Sequence, residues 1–154
     1  MNKHTLRLMF FIMLGFGALV AWLAGYVSGK PAVGAPATLT VQVSGIANAK
    51  GGILASVCDK AHFLKTCNQS RMVQADAGGS VKLHFDTLRS GRFAVMVYHD
   101  ENGNRQFDYT AGGMPAEGWG FSRNARGKQG PPRFEDAAID LKPGANEMRI
   151  ELVY

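Results

Sequence analysis

The chain has 154 residues, a length that fits one domain able to bury a real core. Its 19 glycines point to many turns rather than long helices. The formal charge of +5 falls to about +2 once Lys3, Arg7 and Lys30 of the N-terminal segment are set aside, too little for the clustered Lys and Arg that a phosphate backbone demands, so nucleic acid is excluded as a partner.

Residues 1–7 are short and basic, and residues 8–27 then run without a charge. This pattern is an export signal. A secretory signal has an apolar region of about 7 to 15 residues, whereas a bilayer-spanning helix needs about 20, so the length favours a retained membrane anchor over residues 1–27. Lys3 and Arg7 precede the span, which by the positive-inside bias leaves the short N-terminus in the cytoplasm and exports the rest. Trp22 and Tyr26 then sit near the outer interface. The expected location is the inner membrane, with the domain facing the periplasm or the cell exterior. The alternative is a cleaved signal, for which Ala35-Pro36-Ala37 offers small residues and which leaves a free periplasmic domain. Residues 28–37, with Gly29, Pro31, Gly34 and Pro36, read as a linker.

From residue 38 to 154 the apolar period is two. Leu39, Val41 and Val43 alternate with polar neighbours and predict a half-buried strand; a turn over 45–52 leads to a second strand, 53–57, read as its hairpin partner. Cys58 and Cys67 follow, and in an exported protein two cysteines are most simply a disulfide. Between them Phe63 and Leu64 are placed on a helical turn that caps one open end of the core, with His62 exposed. A short strand is predicted at 71–75 and a turn at 77–79. Val81, Leu83 and Phe85, then Phe93, Val95 and Val97, face inward on two strands read as a hairpin through 88–91. Far downstream, 134–141 and 146–153 are read as a last strand pair around the turn Lys142-Pro143-Gly144. The sum is an all-β fold, an antiparallel β-sandwich of about seven strands.

Between the strand ending at Tyr98 and residue 133 lies a polar segment rich in Gly and Pro, and loops of that length tend to carry function. Side-chain oxygens recur at alternate positions, Asp100, Asn102, Asn104, Gln106 and Asp108. This spacing resembles the first nine positions of a dockerin or EF-hand-like calcium loop, with Gln106 offering its backbone carbonyl. The sixth position, usually Gly, is Arg105, and the twelfth, where a bidentate carboxylate belongs, is Ala111; Glu117 or Glu135 would have to fold back to raise affinity. The plain alternative is an Asx-rich turn in which Arg105 pairs with Asp100 or Asp108 and no metal is needed.

Two phrases go beyond pattern. Phe85-Asp86-Thr87-Leu88-Arg89-Ser90-Gly91-Arg92-Phe93-Ala94-Val95 resembles the strand-turn-strand of transthyretin-like (prealbumin-like) sandwich domains. The order Val95-Met96-Val97-Tyr98-His99-Asp100-Glu101-Asn102-Gly103-Asn104, then Gly113-Met114-Pro115-Ala116-Glu117-Gly118-Trp119-Gly120-Phe121-Ser122-Arg123-Asn124-Ala125, then Gly130-Pro131-Pro132-Arg133-Phe134-Glu135-Asp136-Ala137-Ala138, resembles the bacterial family known as domain of unknown function 2141. The resemblance spans 38–154 and implies an exported sandwich domain with no assigned reaction. The chain departs from the family pattern at Arg105, where Gly is usual, and in its two cysteines.

For catalysis the residues offer little. His84 points outward while His99 shares the inward phase of Val97, and Glu135 and Asp136, being adjacent on a predicted strand, face opposite ways. No nucleophile elbow, zinc motif or phosphate loop occurs. The expected function is therefore a non-enzymatic binding module of the bacterial envelope, possessing a calcium-stabilised loop if the oxygen series is a metal site. The alternative is an envelope hydrolase using His99 and the 100–108 loop. Trp119 and Phe121 alternate with Gly118, Gly120 and Ser122, and predict an irregular extended strand clamped on the sandwich by its rings. Trp119, Arg123, Asn124 and Arg126 form the candidate recognition surface for an envelope protein or glycan, since Trp and Arg carry binding energy when buried at interfaces.

Overall fold

The structure, a computed structural model, describes residues 34–67 and 69–154. The apolar run 8–27, its anchor or signal role and most of the linker lie outside the described residues. Among the described residues no helix is long and apolar enough to cross a membrane.

The fold is all-β, with eight strands among the described residues: β1 Pro36–Ser44, β2 Gly52–Cys58, β3 Gln69–Gln74, β4 Val81–Arg89, β5 Gly91–Asp100, β6 Trp119–Phe121, β7 Ile139–Leu141 and β8 Gly144–Glu151. One sheet has three strands in the order β4-β1-β8, and the other has five, ordered β3-β2-β5-β6 with β7 on the free half of β5. Leu39, Val41, Val43, Leu83, Phe85 and Ile150 of the first sheet meet Ile53, Ala55, Val57, Val95 and Val97 of the second in one buried core. These are the inward positions that alternation predicts, because successive side chains leave opposite faces of a strand. At one side the sheets are stitched by a bridge between Trp119 and Val153, which exchange backbone hydrogen bonds of 2.8 and 2.9 Å.

The pairing differs from expectation in three places. β1 does not form a hairpin with β2; it pairs antiparallel with β4 and parallel with β8, so the sandwich is not purely antiparallel. The connection through 45–51 crosses to the other sheet, leaving Gly45 (φ +76) so close to Leu152 that a Cβ would meet its carbonyl oxygen at 2.9 Å. β4 and β5 are not a hairpin either. Ser90 alone separates them, and hairpin loops need two or more residues, so the chain turns a corner and enters the second sheet. Ser90 is held there by Ala35, whose N–H donates to its Oγ at 3.0 Å and whose carbonyl accepts its N–H at 2.7 Å. Finally, 134–141 is not one strand: Phe134–Ala137 is a helical turn, α1, and β7 pairs with β5 while β8 pairs with β1. β1 also starts at Pro36, two residues inside the segment read as linker, and buries Ala37.

A second, smaller core covers the outer face of the five-stranded sheet. Cys58, Phe63, Ala94, Phe121, Phe134, Ala137 and Ala138 are buried in it. Phe63 thus caps a sheet face rather than an open end, packing edge-on against Phe121 and Phe134 at 5.9 and 5.7 Å, while Leu64 (φ +59) is exposed. Cys58 and Cys67 form a disulfide with a Cα separation of 4.8 Å, fixing the Phe63 turn to the end of β2. Lys60 and Glu135 add a 2.6 Å ion pair between this turn and α1.

Closing so short a loop stabilises the native state by roughly 2 to 3 kcal/mol in the chain-entropy model. The expected outcome is a urea midpoint lowered by reductant in the wild type, and equally low with or without it in Cys58→Ser/Cys67→Ser. Identical midpoints for all four samples would rule this contribution out.

Candidate functional site

β5 ends on Asp100, which is fully buried. Its Oδ1 and Oδ2 accept the backbone N–H groups of Asn104 (3.1 Å) and Arg105 (2.8 Å), so this carboxylate winds the following loop around itself. Asn102 Oδ1 accepts the N–H of Asn104 at 2.9 Å, and Asn104 Oδ1 that of Gln106 at 2.7 Å: successive Asx turns, made possible because these side chains reach a backbone amide two residues on. Both side-chain amides also donate to Asp108, Asn102 Nδ2 at 2.7 Å and Asn104 Nδ2 at 2.8 Å from the same Oδ2. The Gln106 side chain is exposed. Arg105 adopts φ +63, which explains why glycine suits this position. Among the described residues its guanidinium makes no ion pair with Asp100 or Asp108, so it is not the internal counter-ion that the sequence suggested as an alternative to metal.

Residues 109–115 form a hairpin tip closed by a bridge between Tyr109 and Pro115, with Ala116 N–H on the Asp108 carbonyl at 2.9 Å. This return places Glu117 beside Asp108, whose N–H donates to Glu117 Oε2 at 3.3 Å. Glu117 is only 5% exposed, and its Oε1 is buried without a hydrogen-bond partner. Burial pushes its carboxyl above the usual range, the charges of Asp108 and Asp100 push it further, and the amides of Asp108 and Glu101 offset part of this. Ionisation of Glu117 therefore works against the fold: its contribution is most favourable below the ordinary carboxylate pKa and declines as pH rises through the raised value. Tyr98 is raised by burial and by the same carboxylates, Asp100, Glu117 and Asp108. Among the described residues no three His, Cys, Asp or Glu side chains already converge as a ready metal group.

His99 lies inward, as its phase predicts, and is fully buried. Both ring nitrogens are engaged, Nε2 with the Lys50 carbonyl at 2.7 Å and Nδ1 with the Tyr154 hydroxyl at 2.7 Å. A carbonyl only accepts, so Nε2 carries the proton and the Tyr154 O–H donates to Nδ1. Burial holds the Tyr154 phenol above its usual value, Glu101 adding to this against the Ala47 amide, which keeps the hydroxyl a donor. A ring so placed is not presented to a substrate. His84 is exposed and contacts Thr40 at 3.1 Å, far from His99 in role. Glu135 and Asp136 turn to different partners, Lys60 and Arg133.

The four proposed recognition residues come together, but at the edge of β8. Trp119 is half-buried in β6 with the Arg126 guanidinium over its ring at 4.9 Å. Arg123 and Asn124 both have positive φ, +61 and +50. Asn124 Oδ1 accepts the N–H of Glu151 at 3.0 Å, while Arg126 Nη2 donates to the Glu151 carbonyl at 3.2 Å. Together they satisfy backbone groups of β8 that a missing neighbour strand would otherwise have paired. The feature that periodicity missed is the hairpin tip, where Tyr109 and Met114 are 63% and 67% exposed. Tyr109 packs edge-on to Phe107 at 5.1 Å, and Phe107 against Tyr98 at 5.6 Å. Two large apolar residues within a Gly-rich turn were the available signal.

A family model described as an uncharacterized protein conserved in bacteria, DUF2141, matches residues 41–149. No curated protein and no solved structure matches the chain.

Proposed function

The chain belongs to the DUF2141 family, and from that premise we propose that it is an exported binding module of the bacterial envelope, a transthyretin-like sandwich held at the inner membrane by residues 8–27 and presenting its hairpin tip to an envelope protein or glycan. The observation that carries this reading is the exposure of Tyr109 and Met114 on an ordered turn. Thr110 Oγ1 accepts the N–H of Met114 at 3.2 Å, and the Thr110 N–H reaches the Met114 carbonyl at 2.8 Å, so the tip is shaped before any partner arrives. Pre-organisation of this kind reduces the ordering cost of association, and an aromatic ring backed by Phe107 and Tyr98 is a suitable anchor. Arg123, Asn124 and Arg126, with the half-buried Trp119 beneath Arg126, form a second, more basic flank, which Asn124 and Arg126 tie to β8.

The test is capture from envelope extract by the full chain, beside glycan arrays for the same protein. Tyr109→Ser/Met114→Ser is expected to melt like wild type and to lose the captured partner. Capture that survives this change but is lost in Arg123→Ala/Arg126→Ala would move recognition to the second flank; capture unaffected by either would refute the reading. Mass spectrometry of the native N-terminus decides the anchor, which a chain starting at Thr38 would remove.

A further inference from the structure

We infer that the free edge of β4 is a self-association surface, on which a second copy of this chain pairs antiparallel across a two-fold axis at His84 and joins the two three-stranded sheets into one. β4 ends its sheet, bonded to β1 on one side and, among the described residues, to no strand on the other. A strand edge left open is a template for another strand. The other edges that could serve are guarded. Asn124 and Arg126 take the N–H and carbonyl of Glu151 on β8. β3 has six residues against nine in β4 and turns a charge toward the core side, Arg71, whose guanidinium lies 5.7 Å from the Phe85 ring centroid; inward charge of this kind blunts an edge. On β4 itself the Gln69 side-chain amide donates to the Thr87 carbonyl at 2.8 Å, which leaves the stretch from Val81 to Asp86 open.

Charge complementarity selects the occupant. Lys82, His84 and Asp86 alternate with the buried Leu83 and Phe85, so all three stand exposed on the outer face of the sheet. A two-fold axis normal to a sheet keeps each face on its own side, so opposed residues must share a face and the axis must pass between a residue and its own copy. With His84 on the axis, Lys82 stands opposite the partner's Asp86 and Asp86 opposite the partner's Lys82, while Leu83 meets the partner's Phe85 on the inner face. An axis at Leu83 or at Phe85 breaks both charge pairs. The outward series cation, ring, anion reads anion, ring, cation when run antiparallel, so it is its own complement. Within the chain neither Lys82 nor Asp86 makes an ion pair among the described residues. Their neighbours on β1 are uncharged, Gln42 opposite Lys82 and Thr40 opposite His84. Opposite charges directly across two strands stabilise the pairing and like charges there destabilise it. The surface lies on the three-stranded sheet and does not depend on the 109–115 tip being a recognition element.

The test is sedimentation velocity of the full chain in detergent, wild type beside Lys82→Glu and the charge exchange Lys82→Asp/Asp86→Lys. Wild type is expected to dimerise. Lys82→Glu sets like charges opposite each other twice and should weaken the dimer at least about tenfold, and the exchange, which rebuilds both pairs in reverse, should restore it. These changes touch exposed side chains, so the variants should melt like wild type. A second measurement is cross-linking. The native cysteines already form the Cys58–Cys67 disulfide, so His84→Cys adds one free thiol on the axis, where it should join its copy on mild oxidation. Glu147→Cys, exposed on the same sheet two strands away, should not. A monomeric wild type, a dimer indifferent to Lys82→Glu, an exchange without rescue, or equal cross-linking at the two positions would each overturn the assignment.

Discussion

Replacing Phe121 by alanine is expected to lower stability by about 3 to 5 kcal/mol, the range for emptying a buried aromatic site. Phe121 is 8% exposed and lies at the centre of the second core, edge-on to Phe63 at 5.9 Å and to Trp119 at 5.8 Å. Each such ring pair adds roughly 0.5 to 1.5 kcal/mol beyond area. Its loss should therefore release two elements at once, the disulfide-closed turn and the strand that anchors the long loop. Trp119→Ala should lose less, because Trp119 is only half-buried and Arg126 covers its ring from the solvent side. Guanidinium unfolding of both variants gives the comparison, and amide exchange at residues 119–122 locates the loosening. A larger loss for Trp119 than for Phe121 would mean that the loop, not the sheet face, holds this core together.

His99→Ala should be nearly as damaging, at about 2 to 5 kcal/mol, for a different reason. The ring is fully buried, and its removal opens a cavity and breaks its hydrogen bonds to the Lys50 carbonyl and the Tyr154 hydroxyl; both belong to exposed residues that water can reach, so the cavity carries most of the loss. Tyr154→Phe removes a single hydroxyl, which also accepts the Ala47 N–H at 3.0 Å, and should cost about 1 kcal/mol. Because Nδ1 and the hydroxyl share one hydrogen bond, the two losses should not add: the double variant should fall short of their sum by about 0.5 kcal/mol or more. Strict additivity in a double-mutant cycle would show that the Tyr154 hydroxyl and the imidazole act independently. The same residues tie the C-terminus to the connection at 45–51, so exchange protection there should fall in both single variants.

The inward residues of both sheets were legible in the sequence, Leu39, Val41, Val43, Leu83, Phe85, Val95 and Val97, because alternation is a property of each strand's own backbone. So were the Cys58–Cys67 disulfide, the outward His84, the inward His99, and the strand at Trp119 and Phe121, together with the oxygen series of 100–108, whose turns join residues two to five apart. Strand partnership was not. β1, β2, β4 and β5 carry similar apolar faces, so the pattern fits several pairings equally, and the selection came from the single residue at the β4–β5 corner, the crossing at 45–51 and the parallel seat that β8 finds beside β1. The same holds for the site. Lys50 and Tyr154 reach His99 from 49 and 55 residues away, and Glu117 arrives beside Asp108 only because the tip at 109–115 folds back. Local spacing specifies what a short segment does with its own amides, whereas the environment of a buried His or Glu is decided by whichever distant segments the packed sheets bring against it.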